Sequence, residues 1–110
     1  MAAHTSIVGA TGASPIEGAV ADVFAAAYAA AQIAVRLVKP GNKNSQVTNA
    51  IKRVAESYGV TPLAGVLSHN LKQFIVDGDK VILQREDHDT KVEEVSACSV
   101  FYAQPAVMSA

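Results

Sequence analysis

The chain predicts an α+β fold in which two antiparallel helices pack on a small antiparallel sheet. Three observations carry that prediction. Apolar residues recur at three- and four-residue spacing through the first half, the period drops to two after Thr61-Pro62, and a turn sequence, Asp77-Gly78, divides the strands that follow.

The stretch from Ser14 to Glu17 announces the first helix. Ser14 can cap it, Pro15 takes the first helical position where its missing N–H costs nothing, and Glu17 completes a capping box. Beyond it Ile16, Val20, Val23, Phe24, Ala27, Ala31, Val35 and Val38 form one apolar stripe, with Arg36 and Lys39 in the closing turn and Pro40-Gly41 as the stop. A short loop leads into a second helix from about Ser45 to Tyr58. Its apolar face is Val47, Ile51, Val54, Ala55 and Tyr58, and Gly59 stands at its C-terminal end. So short a connection makes the two helices antiparallel neighbours.

Residues 66–76 alternate as an extended chain, with Leu67, His69, Leu71, Gln73 and Ile75 on one side and Ser68, Asn70, Lys72 and Phe74 among those on the other. The Asp77-Gly78 turn leads to a strand from about Lys80 to Gln84, and after a charged loop over 85–94 the run VSACSVFYA supplies a final strand. Three short strands and two helices leave one sheet edge without a partner in the chain, which opens a route to self-association through that edge.

Composition narrows the functional classes. Half of the 110 residues are hydrophobic, but many are alanine, and three Phe, three Tyr and no Trp give a thin core. Nine Lys plus Arg against ten Asp plus Glu leave a formal charge of −1, so any nucleic-acid contact must be a local patch. One cysteine, Cys98, cannot form an internal disulfide, and no basic segment precedes an apolar run as in a secretory leader. The most apolar stretch is interrupted by Asp22, Gln32 and Arg36, which argues against a membrane span.

Few residues offer chemistry. His69 on its alternating strand is either a hydrogen-bonded structural histidine or a metal ligand; a catalytic metal needs about three protein ligands, and His4 and His88 lie far off in sequence. The acidic residues at 86, 87, 89, 93 and 94 lack the glycine and spacing of a calcium loop and read as a solvated connection. Asp77 and Asp79 are turn formers. Cys98, without a nearby histidine or cation in sequence, reads as a small buried hydrophobe. Gly9 to Ser14 precedes a helix but lacks the lysine of a phosphate loop. Lys43, Lys52, Arg53 and Lys72 are the positive residues near one another in mid-chain; an ordinary charged helix face competes with a partner or nucleic-acid contact as their explanation.

The phrases VRLVKPGNKNSQVT and GVLSHNLKQFIVDGDK give the chain a specific likeness. It resembles the proliferation-associated, ErbB-receptor-binding (curved-DNA-binding) proteins of the methionine aminopeptidase-like pita-bread superfamily. The likeness runs over roughly residues 3 to 94 and fades over 95–110, so residues 1–110 are expected to form one partial aminopeptidase-like domain. The catalytic members of the superfamily hold two metal ions with two aspartates, one histidine and two glutamates. By that resemblance His69 matches the histidine, the aspartates would end about where Met1 stands, and the last glutamate would fall beyond Ala110. No Asp or Glu follows Glu94, so the first glutamate has no counterpart either. His69 is then a vestigial ligand position, with no catalytic residue, bound metal or cofactor expected.

The resemblance implies a non-catalytic interaction protein, associated with ribosomes, structured RNA and protein partners in cytoplasm and nucleus or nucleolus, with a role in growth or translation regulation. The family's lysine-rich C-terminal region is not among these residues, which leaves Lys43, Lys52, Arg53 and Lys72 as the contacts to test. The alternatives are a fragment of a dinuclear-metal methionine aminopeptidase that needs residues absent here, and a fragment without independent function.

Overall fold

The computed structural model describes residues 5–75, 78–86, 91–95, 100–102 and 108–109. Helix α1 (Gly18–Leu37) and helix α2 (Asn44–Tyr58) are followed by short strands β1 (Thr61–Pro62), β2 (Leu67–Leu71), β3 (Val81–Leu83), β4 (Val100–Tyr102) and β5 (Met108–Ser109). Two helices packed with a small antiparallel sheet make the fold α+β, as the sequence pattern predicts. The sheet has the order β3-β2-β4, with Leu67 opposite Leu83, His69 opposite Val81 on one side and opposite Tyr102 on the other. A second antiparallel pair, β1 with β5, was not anticipated; two-residue strands carry no periodicity to detect.

Helix α1 starts three residues later than Pro15 suggests. The Ser14 amide donates to the Thr11 carbonyl at 3.0 Å and the Thr11 amide to the Ser14 carbonyl at 3.1 Å, so the backbone closes a small turn where the sequence places the helix start. Glu17 is extended and offers no side-chain cap, while Gly18 opens the helix with φ +71°, a conformation that glycine adopts without the usual penalty. The C-terminal side of α2 follows the expectation: Gly59 sits at φ +69° and its amide reaches back to Glu56 at 3.1 Å.

The core stripe of α1 is a second correction. Ala26, Ala30 and Ala34 are its buried residues, flanked by half-buried Val23, Leu37 and Val38, and they meet Val47, Ile51 and Ala55 of α2 together with Val60 and Ile82. Of the expected stripe, Val20 is exposed and Val35 is 70 % exposed. Both choices have helical spacing because α1 is apolar nearly all round; the short alanine side chains win because they let the helix axes approach closely. By length and composition α1 is also the one helix among the described residues apolar enough to cross a membrane. On α2, Tyr58 is exposed although it continues the apolar stripe.

The strand over 66–76 is shortened. β2 ends at Leu71, and Lys72 and Ile75 then exchange two backbone hydrogen bonds of 3.0 and 3.1 Å, so the chain reverses at Gln73-Phe74. Phe74 takes φ +63° and is 97 % exposed. Val76, Asp77, His4, residues 87–90 and Cys98, and with them the readings placed there, lie outside the described residues. Along β2 it is the polar side, Ser68 and Asn70, that is buried, while Leu67, His69 and Leu71 are half-buried.

Candidate functional site

The α2–sheet junction is fastened by polar groups. The Asn44 side chain donates to the carbonyls of Val81 (3.1 Å) and Lys91 (3.0 Å) and accepts from the amides of Ser45 (2.8 Å) and Glu93 (3.1 Å). One turn on, the Thr48 hydroxyl donates to Leu83 at 2.6 Å. Such pairing is what permits these groups to be buried. Asn70 plays the same part below β2: its side-chain oxygen accepts from the Lys80 amide at 3.1 Å, and its carbonyl accepts from Gly78 at 3.0 Å.

These fastenings set where the four sequence-nominated cations stand, and the four do not converge. Lys72 lies at the end of β2, where its ammonium meets Asp79 at 2.9 Å with both side chains largely exposed. The hydrogen bond from Lys72, helped by the local backbone amide, holds the Asp79 carboxyl below its ordinary value. Lys52 and Arg53 are adjacent on α2 and therefore point about 100° apart. Lys52 lines a cleft of about 700 Å³ beside β3, together with Arg85 and Lys91 but also with Glu56 and Glu86. Arg53 lines a shallower groove of about 670 Å³ on the other side of α2, where α1 and α2 meet. Lys43 precedes that face: its amide donates to the Gln46 side chain at 2.7 Å as α2 begins.

The α1–α2 groove differs in composition from the cleft. Its floor is Ile33, Leu37, Ala50 and Val54, its cations are Lys39 and Arg53, its neutral polar groups are Asn42, Gln46, Asn49 and Ser57, and no carboxylate among the described residues lines it. Sequence reasoning placed Lys39 only as a helix-closing charge and passed over Gln46, Asn49 and Ser57. The spacing 46, 49, 53, 57 puts those residues with Arg53 on one face of α2, a signal open to anyone who reads the polar side as closely as the apolar one.

His69 sits at the centre of the sheet between Val81 and Tyr102, and its Nδ1 is buried with no hydrogen-bond partner among the described residues. Among the described residues no three His, Cys, Asp or Glu side chains gather as a metal site. The described residues by themselves do not fit the dinuclear centre that the superfamily resemblance implies, because one imidazole supplies neither the negative charge nor the bridging oxygens that two metal ions require.

No family model matches the chain. Over 91 residues it is 43 % identical to a proliferation-associated protein A of Dictyostelium discoideum, covering 83 % of this chain and 24 % of that protein. It is 52 % identical over 80 residues to an ERBB-3 binding protein 1 of Solanum tuberosum, covering 73 % of this chain and 21 % of the relative. A curved DNA-binding protein of Schizosaccharomyces pombe is 45 % identical over 82 residues, covering 22 % of its length. The chain thus spans less than a quarter of the length of each of these relatives.

Proposed function

The chain belongs to the family of the proliferation-associated and ERBB-3-binding proteins, and on that premise we propose that it acts as a non-catalytic docking segment. Its partners are proteins and structured RNA, the ribosome among them, in cytoplasm and nucleus or nucleolus, and its role lies in growth or translation regulation. The observation that carries this reading is the setting of His69: its cross-strand neighbours are Val81 and Tyr102, and among the described residues no three His, Cys, Asp or Glu side chains gather as a metal site. The printed names of two relatives, ERBB-3 binding and curved DNA-binding, describe binding rather than turnover and support the same reading.

Co-sedimentation with ribosomes tests it. Association that weakens as salt is raised is the expected result, since contacts between exposed charges and phosphates are screened. Absence of association with ribosomes, RNA or protein partners at any salt would count against docking. One observation favours a second reading, an aminopeptidase completed by another chain: the unpartnered, buried Nδ1 of His69 is the kind of atom a metal would satisfy.

A further inference from the structure

We propose that the groove between α1 and α2 is the docking site for an acidic, amphipathic helical segment of a partner protein. This rests on the docking reading above and names the partner chemistry for one surface of it. Two features of the groove act together. Lys39 and Arg53 stand along it with no carboxylate among its lining residues, so the potential there is positive although the whole chain carries a formal charge of −1. Between the cations runs a half-buried apolar floor that includes Ile33, Leu37 and Val54.

That combination selects the partner. A phosphate backbone would use the cations and leave the apolar floor idle, whereas an amphipathic helix lays apolar side chains at i, i+3, i+4 and i+7 into such a floor and directs its flanking charges at the rim. Acidic flanks complement Lys39 and Arg53; basic flanks would be repelled. The amide side chain of Asn49 tolerates either polarity, and Gln46, whose oxygen accepts from the Lys43 amide, completes a polar rim. From Gln46 to Ser57 α2 rises about 16 Å, room for roughly three turns of a docked helix. The cleft on the opposite side of α2 lacks this selectivity, because Glu56 and Glu86 offset Lys52, Arg85 and Lys91.

The test uses the 110-residue chain and three labelled probes in fluorescence anisotropy: a 12-residue peptide with leucine at helical spacing and glutamate elsewhere, the same peptide with lysine for glutamate, and an RNA duplex. The glutamate peptide binds and the lysine peptide does not. Arg53→Glu and Lys39→Glu each weaken binding about tenfold, the size of replacing one exposed attraction by a repulsion. Arg85→Glu, in the other cleft, leaves it unchanged. Circular dichroism verifies that the charge-reversed variants keep their helix content. Failure of the glutamate peptide to bind, or binding indifferent to Arg53→Glu, overturns the proposal. So does duplex RNA that binds and is lost on the same reversals, which assigns the groove to nucleic acid. A chain that co-sediments with ribosomes yet ignores the peptide sinks the groove while leaving the docking reading intact.

Discussion

Helix α2 is held on its two sides by different physics. Toward α1 it meets a seam of Ala26, Ala30 and Ala34, where nothing is directional and everything depends on how closely two helices approach. Toward the sheet it is held through Asn44 and Thr48, whose hydrogen bonds reach Val81, Leu83 and the 91–95 segment. The first seam tolerates changes of chemistry that keep volume; the second tolerates changes of volume that keep donors and acceptors. Since the candidate groove lies over the first seam and the mixed cleft over the second, each surface inherits the sensitivities of what lies beneath it.

The contrast can be broken from either side. Asn44→Ala has the larger expected effect: four hydrogen bonds go, and the carbonyls of Val81 and Lys91 lose a donor, for a loss of about 2–4 kcal/mol in denaturant unfolding. Asn44→Asp sharpens the test: it keeps an acceptor for Ser45 and Glu93 but sets a buried carboxylate oxygen against the carbonyls of Val81 and Lys91, so its cost should equal or exceed that of alanine. A cost well below that of alanine would show that the two donated bonds contribute little. Ala30→Leu comes next. Ala30 is fully buried at the helix seam, and an isobutyl group there forces the helices apart at about 1–3 kcal/mol. Hydrogen exchange separates the two: the alanine variant at 44 exposes amides of β3 and Val95 first, the leucine variant at 30 those of α1.

Legibility in the sequence followed the same division. Helix α2 was readable because its apolar stripe is narrow, its opposite face is charged, and Gly59 marks its end. Helix α1 was readable as a helix but not in its orientation, since Val20 and Val35 fit a stripe as well as Ala30 and Ala34 do, and only the partner surface decides between them. Strand β2 was found, but its inward side could not be read from alternation alone: hydropathy favours burying Leu67 and Leu71, while it is Ser68 and Asn70 that go inside, Asn70 with its side-chain oxygen accepting from the Lys80 amide. The same limit hid Asn44, whose partners Val81, Lys91 and Glu93 lie 37 to 49 residues away. Of the nominated cations, Lys72 is engaged by Asp79, Lys52 stands among carboxylates and Arg53 faces the α1–α2 groove. Helical geometry alone separates the last two, once α2 is placed between α1 and β3.

Whether this chain works by docking or by metal chemistry turns on His69, and calorimetric titration of manganese or cobalt ions into the purified chain addresses it most directly. Docking predicts no tight site and no difference between the native chain and His69→Ala. A tight, saturable site that disappears on His69→Ala would contradict it and revive the metalloenzyme.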